Sequence, residues 1–189
     1  MRISFNGRKL VPYIKNLLHL FFLSTLLACC KKDLVNVNPS VEKPTMPPIT
    51  TEGKNTFGCY VNGRLVTCAQ KKNQKVTADY YQGVIYINTA DYESKDYFQI
   101  GIANCKKLGD YNIKTIKNTF FYDYCQYAGP PEDNQLFIFV TNAIDTGIVK
   151  LLRHDTVNNI LSGTFQYDAK LEDGDSIVHV TGGRFDISY

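Results

Sequence analysis

The chain predicts an all-β fold, an antiparallel sandwich or partly closed barrel of about eight to ten strands. Three observations carry that expectation. Apolar residues recur at a period of two rather than 3.6, β-branched and aromatic side chains dominate the candidate segments, and no window of a dozen residues forms an amphipathic helix. The clearest segment is 161–171, where Leu161, Gly163, Phe165, Tyr167, Ala169 and Leu171 alternate with Ser162, Thr164, Gln166, Asp168 and Lys170. One face of such a strand is buried and the other is wet.

Glu172-Asp173-Gly174-Asp175 supplies turn chemistry after that strand, so 177–181 returns antiparallel as a hairpin. The two aspartates are read as turn residues, because no further acidic groups follow at calcium-loop spacing. Val178 and Val180 then put apolar side chains on even positions, whereas Phe185, Ile187 and Tyr189 put them on odd ones. One extra residue at Gly182-Gly183 restores the inward face, which predicts a β-bulge or bend there. Further strands are expected near 57–61, 65–69, 76–81, 84–90, 97–104, 119–125, 136–144 and 148–153. Leu136 to Val140 is apolar on both faces, which predicts a strand that sits centrally or is covered on both sides. Asp145-Thr146-Gly147 reads as the hairpin turn to the strand after it.

The N-terminus reads as an address. Residues 1–28 combine a basic head (Arg2, Arg8, Lys9, Lys15), an apolar run over 17–27 and the small Ala28 before Cys29, the layout of a signal peptide. The apolar run is too short to span a bilayer. Leu26-Leu27-Ala28-Cys29 matches a bacterial lipoprotein cleavage box, which makes Cys29 the expected lipid attachment site. Two or three acyl chains, palmitate among them, would hold the protein firmly in the outer membrane of the cell envelope. Residues 29–54, with Pro39, Pro44, Pro47 and Pro48, read as a tether, and 55–189 as one all-β domain.

Removing the signal changes the charge. The chain has 21 basic and 18 acidic side chains, and four of the basic ones lie in 1–28, which leaves 17 against 18. The basicity therefore belongs to targeting, and no nucleic-acid footprint remains. Lys71-Lys72 with Lys75, and Lys106-Lys107, read as solvated loop charges.

Four cysteines fall in the domain: Cys59, Cys68, Cys105 and Cys125. An even number in an oxidising compartment predicts two disulfides, and four cysteines allow three connectivities. A two-residue turn at Asn62-Gly63 would set Cys59 opposite Val66 with Cys68 one diagonal step away; a four-residue turn would set the two cysteines directly opposite. The expectation is Cys59 with Cys68 and, by elimination, Cys105 with Cys125. A metal site is not expected, since there is no C-x-x-C and His154 and His179 stand apart in sequence. No cofactor is implied. No G-x-S-x-G elbow is present, and Ser162-Gly163 lies within a regular strand. Paired carboxylates for a cell-envelope hydrolase are conceivable among the aspartates, but spacing singles out none.

Aromatic density is the remaining recognition signal. Phe120-Phe121-Tyr122-Asp123-Tyr124 with Tyr127, and Tyr80-Tyr81, put rings on both strand faces. Core packing accounts for the inward rings, and the outward pair Tyr122 and Tyr124 is the candidate platform for a glycan or protein partner.

Asn55-Thr56-Phe57-Gly58-Cys59 with Val61-Asn62-Gly63, Leu161-Ser162-Gly163-Thr164-Phe165, and Gly183-Arg184-Phe185-Asp186-Ile187 with Tyr189, behind a lipobox and a Pro-rich tether, resemble an uncharacterised family of Bacteroidota-type lipoproteins. The resemblance implies an all-β lipoprotein and carries over no catalytic residues. The functional expectation is a membrane-anchored, non-enzymatic binding module, with an envelope hydrolase or a purely structural envelope protein as the alternatives.

Overall fold

A computed structural model describes residues 44–115, 123–132 and 135–189. The strands run β1 Thr56–Val61, β2 Arg64–Ala69, β3 Gln74–Tyr81, β4 Val84–Asp91, β5 Asp96–Ile102, β6 Gly109–Ile113, β7 Tyr124–Glu132, β8 Gln135–Val140, β9 Gly147–Asp155, β10 Ile160–Leu171 and β11 Ile177–Ser188. All ladders are antiparallel. They form one half in the order β6-β9-β10-β11-β1-β2 and another in the order β8-β7-β5-β4-β3. The end of β10 leaves β9 and pairs Lys170 and Leu171 with Val140 and Phe139 of β8, joining the halves into a sheet nearly closed as a barrel.

The opposite seam, between β2 and β3, is not laddered. Side chains take over there: Ala69 N–H donates to Gln74 Oε1, Gln74 Nε2 donates to the Thr67 carbonyl, and Val76 N–H donates to Gln70 Oε1. Two glutamines thus satisfy backbone groups that an open sheet edge would offer to another chain.

Period-two alternation places Phe57, Cys59 and Val61 of β1, Phe98, Ile100 and Ile102 of β5, and Leu161, Phe165 and Tyr167 of β10 inside. The interior is crossed by a line of rings. Phe185 to Phe165 is 6.3 Å between centroids, Phe165 to Phe57 5.1 Å, Phe57 to Phe98 5.1 Å, and Phe98 to Tyr127 4.9 Å. Each such pair adds about 0.5–1.5 kcal/mol beyond its buried area.

The bulge expected at Gly182-Gly183 is present. Tyr167 and Phe165 of β10 face Val180 and Gly183, and Tyr60 and Gly58 of β1 face Thr181 and Arg184, so β11 carries one extra residue against both neighbours. Gly182 sits at φ +60°, and a Cβ on Gly183 would meet the Phe165 ring at 2.5 Å. Both positions need glycine, one for its backbone and one for the ring above it.

Three sequence expectations change. Leu136 to Val140 sits centrally in the strand order, between β7 and β10, but is only partly covered, with Leu136 exposed, because β10 reaches β8 only at Val140 and Phe139. Asp145-Thr146-Gly147 does not close a hairpin. β8 pairs with β7 and β10 while β9 pairs with β10 and β6, and the link begins with an Asx turn in which Asn142 Oδ1 accepts from the N–H groups of Ile144 and Asp145. The strand expected over 119–125 is observed as β7, which crosses Pro130 and Pro131 where its register with β8 shifts; 119–122 lie outside the described residues. Proline is tolerated at such a break because no ladder N–H is required there.

Residues 44–54, read from sequence as tether, lie on the outer face of β1 and β11. Pro47 covers Gly58 so closely that a Cβ there would meet it at 2.6 Å, and Arg184 Nη1 donates to the Pro47 carbonyl. Asp186, outward on β11, is buried under this strap. Its carboxylate accepts from Thr50 Oγ1 at 2.6 Å and from the backbone N–H groups of Glu52, Gly53 and Lys54 at 3.1, 2.7 and 3.3 Å. Burial pushes the carboxyl up, but these four donors outweigh it and hold Asp186 below its ordinary value. The stabilisation is therefore full above the unfolded carboxyl range near pH 4 and is lost as pH falls through the lower folded value. Asp186→Asn should lower stability at pH 7 by about 2 kcal/mol. It should also flatten the acid limb of stability below about pH 4, measured by chemical unfolding across pH.

Candidate functional site

The Asn62-Gly63 turn, with φ of +48° and +81°, closes the β1–β2 hairpin in two residues and delivers Arg64 to the first position of β2. Asp96 opens β5, sharing inward parity with Phe98, Ile100 and Ile102. Tyr127 lies opposite Phe98 on β7. These registers bring a guanidinium, a carboxylate and a phenol to one end of the barrel.

Arg64 forks onto Asp96, with Nη1 to Oδ2 at 3.0 Å and Nη2 to Oδ1 at 2.6 Å. Tyr127 Oη donates to Asp96 Oδ1 at 2.7 Å and accepts from Arg64 Nη2 at 3.1 Å. The Asp96 side chain is 1% exposed and that of Arg64 49%, so the acid is buried while its partner reaches solvent. Burial pushes the Asp96 carboxyl up, and the Arg64 fork and the Tyr127 hydroxyl more than offset it, holding Asp96 ionised. Burial, with the hydrogen bond to Asp96, raises the Tyr127 phenol, and that same acid raises Arg64. All three groups keep fixed protonation around neutral pH. The arrangement can hold a ligand in place; it is not poised to move a proton.

Beside the triad is an open cleft of about 330 Å³, lined by Arg64, Tyr127, Val61, Pro130, Phe137 and Phe139 among others. Gly129 also borders it, and a Cβ there would meet the Tyr127 hydroxyl at 2.9 Å. The cleft is thus an apolar mouth with one polar corner, at the lower end of ligand-site volumes.

A second cluster lies around His154. Its Nδ1 is 3.8 Å from Cys105 Sγ, and Tyr80 packs edge-on at 4.7 Å. Burial pushes the Cys105 thiol up and the His154 imidazole down, so both are neutral rather than a thiolate–imidazolium pair. Among the described residues no group of three or more His, Cys, Asp or Glu could hold a metal ion. His179 is elsewhere, on the outer face, with Nδ1 2.7 Å from Asp168 Oδ1.

The cysteine expectation is corrected. Cys59, Cys68, Cys105 and Cys125 are all buried free thiols. The two-residue turn wins over the wider one, so Cys59 faces Val66 and Cys68 faces Phe57, leaving the two cysteines diagonal. Cys68 Sγ instead lies 3.3 and 3.4 Å from the carbonyls of Lys75 and Ala90 at the seam, with its pKa pushed up to about 11 by burial. Cys105 sits beside His154, and Cys125 pairs across the ladder with Ile100.

Cys29 and Tyr122 lie outside the described residues. Tyr124 is half-buried on the outer face of β7, its ring resting where a Cβ of Gly101 would stand, 2.3 Å away. It packs on the sheet rather than standing free as a platform. Tyr127 belongs to the aromatic cluster that the sequence singles out, but Arg64 and Asp96 were not among the sequence candidates. The one local signal for that pair was an acid at an inward position of β5, which calls for a cationic partner.

No protein-family model, curated protein or solved structure matches the chain.

Arg64→Ala should strip the buried Asp96 of its counter-charge and cost about 3 kcal/mol, the low end for breaking a buried pair because Arg64 is half exposed; urea unfolding measures it. The four domain thiols should resist a thiol reagent in the native protein and react once it is denatured, read by absorbance at matched reagent concentration.

Proposed function

We propose that this chain is a lipid-anchored envelope protein whose β-domain is a non-enzymatic binding module, with its ligand held in the mouth beside Arg64. The observation that carries the reading is the pairing of an apolar cleft with a half-exposed guanidinium whose position is fixed by a buried carboxylate. Binding sites use such a plan: apolar walls supply affinity and a few pre-positioned polar groups set orientation. A hydrolase built on paired carboxylates needs one acid kept protonated near a second. Asp96 is instead ionised and committed to Arg64 and Tyr127. The lipobox at Leu26-Leu27-Ala28-Cys29 and the resemblance to Bacteroidota-type lipoproteins supply the cell-envelope setting.

Two measurements test the proposal. Cys29→Ser should abolish acyl labelling and release the protein from the membrane fraction; unchanged labelling would refute the anchor. Native mass spectrometry of the full chain after exposure to envelope extract should show a bound small molecule that Phe137→Ala removes without lowering the melting temperature. A bound mass indifferent to Phe137, or none at all, rules out the mouth as the binding site.

A further inference from the structure

We infer that the mouth selects an uncharged N-acetylated sugar, with the acetamido carbonyl on Arg64 and the ring C–H face against Phe137 and Phe139. This rests on the mouth being the binding site proposed above, and it follows from three properties of the cleft wall.

The first is charge. Arg64 carries one positive charge and Asp96 one negative charge, joined by two hydrogen bonds of 3.0 and 2.6 Å. A ligand therefore meets a neutral corner. A second carboxylate on the same guanidinium would share one cation with Asp96 and feel the repulsion of that buried anion. A cationic ligand would meet the guanidinium face on. An uncharged acceptor incurs neither cost.

The second is the direction of the hydrogen bonds on offer. Of the five N–H groups of Arg64, two are committed to Asp96 and one to Tyr127, which leaves two uncommitted on a side chain that lines the cleft. Asn62, also on the wall, accepts the His179 N–H on its Oδ1, and its side-chain N–H groups are uncommitted. The Tyr127 hydroxyl already donates to Asp96 and accepts from Arg64. The polar corner is thus a donor surface. A carbonyl oxygen, which only accepts, matches it directly, whereas a hydroxyl has to turn its own proton away to solvent.

The third is shape. Phe137 and Phe139 share a strand face, Phe139 stacks on Tyr127 at 6.1 Å, and Val61, Val178 and Pro130 complete an apolar lining. A sugar ring offers one apolar C–H face to such a wall and keeps its hydroxyls on the open side. The acetamido methyl adds an apolar group next to the carbonyl. The volume of about 330 Å³ accommodates a unit of that size rather than an extended chain.

The test is saturation-transfer-difference NMR on the full mature chain in detergent micelles. Three probes separate the chemistries: N,N′-diacetylchitobiose, cellobiose, and N-acetylglycine as the carboxylate. Transfer should concentrate on the acetamido methyls of diacetylchitobiose and exceed that to the other two. Phe137→Ala should weaken it about tenfold, the loss expected from one apolar ring wall. Phe137→Leu, which keeps apolar volume and guards against misfolding, should weaken it less while retaining the wild-type melting temperature. Preference for N-acetylglycine, or equal transfer to cellobiose, overturns the sugar assignment and leaves the mouth intact as a site. No transfer from any probe overturns the assignment too. If Phe137→Ala then also fails to remove the mass captured from envelope extract, the binding-site reading falls with it.

Discussion

Phe57 is the contact on which the two halves of the barrel depend. It lies on β1, stacks on Phe165 of its own half and tilts against Phe98 of the other, both at 5.1 Å. Among the described residues the halves share one two-residue ladder, at Lys170 and Leu171, and are otherwise joined by side chains: the seam at Gln70 and Gln74 and the Arg64 fork onto Asp96 and Tyr127. Backbone pairing therefore does little to hold one half against the other. Ring burial supplies the cohesion, and the line of aromatics runs from Phe185 beside the β11 bulge to Tyr127 at the mouth. The bulge is part of the same arrangement, since Gly183 clears the space that the Phe165 ring fills.

The aromatic line ends in a charge. Tyr127 is both the last ring of the core and a hydrogen-bond donor to Asp96, so core packing fixes the geometry of the polar corner. Burying a carboxylate is costly unless its oxygens are satisfied. Asp96 and Asp186 solve the problem differently. Asp96 uses a side-chain fork and a phenol, and Asp186 uses a hydroxyl and three consecutive-segment backbone donors. The first solution leaves an arginine edge facing solvent, and the second leaves nothing exposed.

Local patterns were enough to read the strands of the strongest alternation, the β10–β11 hairpin and the phase change at Gly182-Gly183. The short β6 was missed because Gly109, Asp110 and Asn112 hide its period, although Ile113 is fully buried. Of β7 the sequence reading met only Tyr124 and Cys125, and the strand's continuation across Pro130 and Pro131 shows only in the register shift with its partner β8. The disulfide expectation failed at a single choice, between a two-residue and a four-residue turn at Asn62-Gly63. That choice moves Cys68 by one diagonal step, which is the difference between a bridge and two thiols. The site was the least legible part. Arg64, Asp96 and Tyr127 are far apart in sequence and meet only through three separate registers. Likewise, Asp186 announces nothing until the strap that covers it is placed.

The strap also sets how the domain bears mechanical load. Any pull on the chain ahead of residue 44 meets Pro47 seated over Gly58 and held by Arg184, then Thr51 held by Arg153, then the Asp186 cradle, before it reaches β1. β1 itself is paired on both sides, by β11 and β2. The strap's contacts with β1, β9 and β11 therefore lie in series along the chain, ahead of the first strand of the barrel. A domain built this way places a pinned segment between its first strand and whatever pulls on the chain ahead of it.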